Sequence, residues 1–268
     1  METIETKDSS LIIGKIKKRW SITCVLTVIS VIVTVAACMP FDIYIIGQET
    51  VHYAGHPVVM AVVIAVILLA FLFASARIFM PVNDALYAEC DPRKFLILHD
   101  ALLKSKISDD DNCCVNTYLG KYEEALVYAD KMVRSGRKRL GGLYYKAKCE
   151  YFLGNNDGLK QTVEAFDKEF SFVKNKKARI YLTDMQKTVH LFAALAENDT
   201  VKTAECRDIK PWNKFALHIG FWHYMQGAAA ACLGEEKETI NHLMYVRKNC
   251  SETVLAELAD GILNSFRS

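Results

Sequence analysis

The run Leu143-Tyr144-Tyr145-Lys146-Ala147-Lys148-Cys149-Glu150-Tyr151-Phe152-Leu153-Gly154 decides how the larger part of this chain is read. It is a helix that closes on Leu-Gly, and a glycine after leucine suits a left-handed C-terminal cap. The same ending occurs at Tyr118-Leu119-Gly120 and at Ala231-Cys232-Leu233-Gly234, each closing one helix just before another begins. The first two marks lie one period of about 34 residues apart. Between Gly154 and Gly234 the spacing needs two longer units, and Leu191 to Ala196 followed by Asn198-Asp199 marks a degenerate turn between them. Beyond Pro81 the chain is a succession of helices of ordinary length broken by Gly, Asn and Asp, without an alternating strand pattern, so the class is all-α.

Leu119-Gly120-Lys121-Tyr122-Glu123-Glu124-Ala125-Leu126 resembles the turn and second-helix start of a tetratricopeptide repeat. The run from Leu143 to Gly154 resembles the first helix of the following repeat, with Ala147 where that family prefers a small residue. A third match runs from Met225 to Gly234, with Gly227 at the small position, and continues through Thr239, Leu243 and Val246. Small residues there let two helices approach closely, and each helix pair buries its apolar stripe on its neighbours. The resemblance covers most of residues 105–250, lacks the usual Pro at the end of a repeat, and leaves Asp109-Asp110-Asp111 as a feature expected to weaken the first helix. It implies a TPR-like array of helix-turn-helix repeats. Its first helices would line a concave groove that accepts a peptide or partner helix, and by position these include Tyr144, Lys148, Tyr151, Phe221 and Tyr224. Aromatic rings with a neighbouring cation suit such a groove; alternatively, the same rings fill the core between repeats. Ser251-Glu252 is an expected N-cap for a last amphipathic helix through Val254, Leu255, Leu258, Ile262 and Leu263. Asp84 to Lys106 is expected to form the first helices of this domain, with a helix start at Asp91-Pro92.

Upstream the character changes. Trp20 to Cys38 and Val58 to Ala76 carry no charge. At about 19 residues and 1.5 Å per residue, each can cross a roughly 30 Å hydrocarbon core. The chain therefore divides into a basic tail (1–19), a transmembrane helical hairpin (20–80, spans about 20–38 and 58–78) and a TPR-like domain (84–268). Lys15, Lys17, Lys18 and Arg19 precede the first span, Arg77, Arg93 and Lys94 follow the second, and the connector from Met39 to His56 has no Lys or Arg. Basic flanks are retained inside, so both termini and the repeat domain are expected in the cytoplasm of a multi-pass cell-membrane protein. A cleaved signal peptide is the competing reading of the first span, and Val35-Ala36-Ala37-Cys38 resembles a lipobox. No Asp, Glu, Lys, Arg or His lies within Trp20 to Cys38 or Val58 to Ala76, so the hairpin is an anchor rather than a transport path.

Net charge is +2 with acids and bases interspersed, which argues against nucleic acid as a partner. Nine cysteines lie scattered without the even spacing of a disulfide framework, which favours reduced thiols and a cytosolic domain. No CxxC pair, HExxH helix, phosphate loop or nucleophile elbow occurs. Cys113-Cys114 diverge on a helix, His218 and His223 do not converge, and Arg139-Leu140-Gly141-Gly142 is expected to be a turn. Cys149 and Cys232 fall in helix interiors, where a thiol is inert. Neither catalysis nor a metal, cofactor or small-molecule substrate has support in the sequence. The expectation is a membrane-anchored scaffold or adaptor that binds a protein partner beside the bilayer. The alternative is an accessory subunit of a transport or secretion complex, with the spans as its interface through Ala61, Ala65, Ala70, Ala74 and Ser75.

Overall fold

The computed structural model describes residues 2–39, 41–43, 51–53, 56–103, 105–136, 138–211 and 214–265. The chain forms two compact units, Met1–Val82 with Ala101–Leu103, and Asn83–Asp100 with Lys104–Ser268.

The first unit is built on α1 (Glu2–Cys38) and α2 (Pro57–Tyr87), the latter entering the second unit at Asn83. Between them, β1 (Phe41–Ile43) pairs antiparallel with β2 (Val51–Tyr53), a short hairpin that the sequence reading did not anticipate. Both helices run beyond the expected spans: α1 includes the basic tail, and α2 continues through Pro81. Both are long and apolar enough to cross a membrane. Val25, Leu26, Ile29, Ile32 and Val33 on α1, and Val58, Val62, Leu69, Leu72 and Phe73 on α2, are more than half exposed. The hydroxyls of Thr27, Thr34 and Ser75 donate to the carbonyls of Thr23, Ser30 and Phe71 in their own helices. Polar groups satisfied within the helix do not oppose an apolar solvent. Trp20 packs its ring on Phe71 and Phe79, at centroid distances of 5.3 and 5.2 Å.

The second unit consists of helices joined by turns and loops, with no strand among its described residues. After α3 (Pro92–Leu102) come α4 (Asp109–Tyr118), α5 (Tyr122–Ser135), α6 (Arg139–Leu153), α7 (Asn156–Ser171), α8 (Lys176–Ala196), α9 (Thr200–Cys206), α10 (Ala216–Cys232), α11 (Glu236–Asn249) and α12 (Val254–Ser265). From α4 to α12 each helix packs on the next in sequence, α5 with α6 most extensively, and the pairs α4 with α5, α6 with α7, α8 with α9 and α10 with α11 are joined by short turns. A second set of contacts joins α4 to α6, α6 to α8, α8 to α10 and α10 to α12.

Four turns within these pairs share one geometry. The backbone N–H groups of Lys121, Asn155, Asp199 and Glu235 donate to the carbonyls of Asn116, Glu150, Ala194 and Ala230. Each such bond closes over a residue in the left-handed region: Gly120, Gly154, Asn198 and Gly234. This is the bond that satisfies the orphan carbonyls at a helix end. Asn198 fills the role because asparagine tolerates that conformation better than most side chains. Asp199 then accepts from the Lys202 N–H and starts α9.

Several local expectations are corrected. Asp109, Asp110 and Asp111 form the first turn of α4, with Ser108 accepting from the Asp111 N–H; acids at a helix N-terminus favour the helix through its dipole. Gly142 lies inside α6 rather than in a turn, where a Cβ would fall 2.9 Å from the Ala129 carbonyl oxygen, Met132 and Val133. Ser251 and Glu252 lie in the turn before α12, and Thr253 directly precedes the helix. At Asp91 the structure has the expected start: its carboxylate accepts from the Lys94 N–H at 2.8 Å.

The array closes on itself. A Cβ on Gly120 would lie 3.2 Å from Val254 Cγ2 at the start of α12. Tyr118 of α4 meets Phe221 of α10 edge to face, and Cys90 Sγ lies 3.9 Å from Cys250 Sγ. Gly120→Ala therefore carries both the left-handed strain, about 1–2 kcal/mol, and pressure on Val254. Gly136→Ala carries the strain alone, since Gly136 has a φ of 74° and open space around it. Thermal unfolding of the two variants is expected to place Gly120→Ala below Gly136→Ala, and equal midpoints would remove the Val254 contact from the closure.

Candidate functional site

Tyr144, Lys148 and Tyr151 fall on one face of α6, and Leu217, Phe221 and Tyr224 on one face of α10, because residues three and four apart are neighbours on a helix. These faces meet inside the closed array with α4 and α8 between them. Phe192 of α8 joins the two sets: its ring centroid lies 6.2 Å from Tyr144, 5.2 Å from Tyr151 and 6.1 Å from Phe221. Tyr151 and Tyr224 share a side-chain hydrogen bond. The five residues expected to line a groove are thus brought together. Tyr144, Lys148, Phe221 and Tyr224 are buried and Tyr151 is partly so. They lie in the interior of the unit, and Tyr144, Lys148 and Phe221 also line a cavity that opens beside them.

Lys148 is the anomaly in this interior. It is 1 % exposed. Its Nζ donates to the Tyr118 hydroxyl at 3.0 Å and stands 3.5 Å over the Phe221 ring and 4.1 Å over that of Tyr118. Aromatic faces attract a cation, which accounts for its seat. No Asp or Glu is paired with it among the described residues; its ionisable neighbours include the thiols of Cys114 and Cys149. Burial pushes those thiols up to about 12 and about 11, so both stay protonated. Burial pushes the Lys148 ammonium down to about 7, because a low-polarity interior disfavours the charged form.

A small cavity of about 30 Å³ opens beside this lysine, room for little more than ordered water. Tyr118, Tyr145, Lys148, His218 and Phe221 are among the lining residues, with Ile209, Lys210 and Pro211 at one side. Lys210 and Pro211 are exposed and mark the mouth. Trp222 donates its indole N–H to the Ile209 carbonyl at 2.8 Å, which ties the mouth segment to α10. Gln226 donates to the Arg207 carbonyl at 2.7 Å, a second tie, and Arg207 makes a 2.7 Å ion pair with Glu235. Among the described residues no carboxylate lines the cavity.

No family model, curated protein or solved structure matches this chain.

Tyr118, Tyr145, Phe192, His218 and Trp222 were not identified from the sequence as members of this site. Tyr118 stood in a quoted repeat mark, and its place at the end of a first helix was the available signal. The other four required knowing that α8 and α10 face α6. His223 and His242 form a separate pair on the second and third turns of α10 and α11, with Nδ1 atoms 2.9 Å apart. Burial, then the neighbouring His242, pushes His223 down to about 4. Among the described residues no group of three or more His, Cys, Asp or Glu is placed to hold a metal ion, and all nine thiols are free.

Proposed function

We propose that this chain is a membrane-anchored, TPR-like helical-repeat module that binds a protein partner at the cytosolic face of the bilayer and has no catalytic role. The observation that carries the reading is the exposed apolar surface of α1 and α2, more than water tolerates on a soluble monomer. The recurrent pairing of helices through turns of one geometry supports the tetratricopeptide likeness. Basic residues flank the spans and the connector lacks them, which supports both termini inside. With the predicted groove residues packed inward, the partner surface on this reading is the outer face of the array, where Val127, Ile180 and Val201 are more than half exposed.

The second reading, a subunit of a membrane complex held through its spans, draws on Ala61 and Ala65, which are exposed one turn apart on α2 and would let a partner helix approach closely. Site-specific cross-linking separates the two: adducts from Val127 or Val201 favour the scaffold, and adducts confined to Ala61 and Ala65 favour the subunit. The anchor itself is tested by carbonate extraction and by a reporter at the C-terminus. The full chain is expected to stay in the membrane pellet with the reporter active inside the cell; release by carbonate, or activity outside, defeats the proposal.

A further inference from the structure

Two thiols differ from the rest in where the chain puts them. Cys90 lies in the turn between α2 and α3, and Cys250 ends α11 just before α12. They are 160 residues apart in sequence, yet their sulfurs lie 3.9 Å from each other and both residues are buried. Each sulfur is accommodated by an unusual local feature. Cys90 has a φ of 56°, one of two residues other than glycine in the left-handed region among those described, and the Asp91 N–H donates to the Ala85 carbonyl across it. Glycine takes that conformation without strain, and a residue with a Cβ does not. On the other side Cys250 rests on Gly220 of α10, where a Cβ would stand in the place of its sulfur. A residue held in a sparsely populated conformation points to a role for its side chain. Here that side chain delivers one sulfur to another.

We propose that Cys90 and Cys250 are a redox pair, oxidised by a hydroperoxide to a disulfide that ties the turn after α2 to the end of α11 and fixes the array in its closed form. From 3.9 Å the sulfurs must approach by about 2 Å to reach bonding distance. Both sit at helix ends, where the backbone yields more readily than inside a helix. A cavity of about 190 Å³ lies alongside, lined by Arg93, close after Cys90, and by Ser251, Thr253 and Val254, close after Cys250. It has room for hydrogen peroxide, a molecule not much larger than water, and local opening of the turn at Cys250 joins it to the sulfurs.

The hydrogen bond between the sulfurs holds the Cys250 thiol below its ordinary value and the Cys90 thiol above it, which marks Cys250 as the attacking sulfur. Its thiolate attacks one peroxide oxygen: an S–O bond forms, the O–O bond breaks, and the hydroxide released takes up the proton lost from the thiol as water. The Cys90 thiol then attacks the sulfenic sulfur: the S–S bond forms, the S–O bond breaks, and the departing hydroxide leaves with the Cys90 proton as a second water. The two thiols give up two electrons and the peroxide gains them. The pair lies wholly within the second unit, so it holds for either topology of the spans and does not rest on the scaffold reading. In a reducing compartment the thiols are the resting state, and the disulfide is the response to peroxide.

The test is peptide mass mapping of the full chain in neutral detergent micelles, reduced, freed of reductant, exposed to hydrogen peroxide and alkylated in denaturant, read on the monomeric fraction. The expected result is a linked peptide pair carrying Cys90 and Cys250 as the main cross-link, reversed by dithiothreitol, with the other thiols left to alkylation. A chain unfolded before oxidation should lose that preference, since the fold alone brings these two together. Oxidation should raise the thermal unfolding midpoint of the native chain by about 5 °C or more, because the link closes a loop spanning 160 residues. In Cys90→Gly, which suits the left-handed turn, and in Cys250→Ala, peroxide should no longer move the midpoint. Mapping of the unaltered protein stands whatever the stability of the variants. Peroxide that leaves both thiols free, a main cross-link between any other two cysteines, arrest of Cys250 at the sulfinic acid without a link, or a midpoint unmoved by the link would each overturn the proposal. Cross-linking of the pair only after unfolding would overturn it too, by leaving both sulfurs as ordinary core side chains.

Discussion

Lys148→Met is expected to raise the stability of the helical unit at pH 6 to 7 by about 3 kcal/mol and to flatten its dependence on pH. The figure follows from two opposing effects. Burial moves the folded-state lysine from 10.5 to about 7, which at 1.36 kcal/mol per unit is roughly 5 kcal/mol against the charged form. The rings of Phe221 and Tyr118 return about 2 kcal/mol to a desolvated cation. Methionine fills a similar volume without a charge to desolvate, and replacing a buried ion by an apolar residue of matching size is commonly neutral or stabilising. In the native protein the unfolded chain holds this proton up to its ordinary value, while the folded chain releases it near 7. Between those values the unfolded state binds more protons, so stability rises with pH; the destabilisation is fully present below about 7 and vanishes above the ordinary lysine value. Denaturant unfolding of native and variant protein in neutral micelles at pH 6, 8 and 10 checks this. A variant less stable than the native chain at pH 6 would show that the cation contributes more than its burial costs.

The second large effect is expected at Gly227, the small residue the tetratricopeptide likeness marked in α10. A Cβ there would stand 2.5 and 2.6 Å from Cδ2 and Cγ of Leu243 on α11. Leu243 is fully buried and has nowhere to withdraw. Gly227→Val is expected to cost about 3 kcal/mol or more, at the upper end for overpacking because the whole helix must move off its partner. Gly227→Ala should cost less, since alanine recovers up to about 1 kcal/mol of helix propensity. Pairing Gly227→Val with Leu243→Ala should restore part of the loss, a coupling that double-mutant analysis of thermal unfolding would read. Strict additivity would mean that the two helices do not meet at this point.

How much was legible follows from which interactions are local. Gly120, Gly154 and Gly234 could be read as helix ends because a left-handed residue after leucine is a backbone requirement confined to a few positions. Asn198 was readable for the same reason, with asparagine standing in for glycine. The apolar runs around Val31 and Ile67 were legible because lipid-length hydrophobicity needs no partner to be recognised. The errors lie where a residue type has two meanings. Three consecutive aspartates oppose a helix in its middle and favour it at its first turn, and only the position of Ser108 separates these. Gly141-Gly142 suits a turn, yet Gly142 is small because Met132 and Val133 press against it. The site shows the limit most clearly. The tetratricopeptide likeness assigned Tyr144, Lys148 and Tyr151 to one groove, and their spacing puts them on one face of α6, but whether that face is open or covered depends on α8 and α10, whose packing no local pattern encodes. Lys148 was read as the cation of a groove, because a lysine carries no mark in sequence of being enclosed.

The meeting of Gly120 with Val254 has a consequence for how the molecule is made. An open stack of repeats can fold progressively from its N-terminal end as it leaves the ribosome, each unit resting on the one before. Here the closure is complete only when α12 has been synthesised and Val254 has docked against the turn at Gly120. Until then the surface that α12 covers is exposed, and such transient surfaces invite aggregation. A nascent chain halted before Val254 should accordingly recruit chaperones, and a premature stop in the last helix should be cleared by proteolysis rather than yield a shortened but serviceable protein.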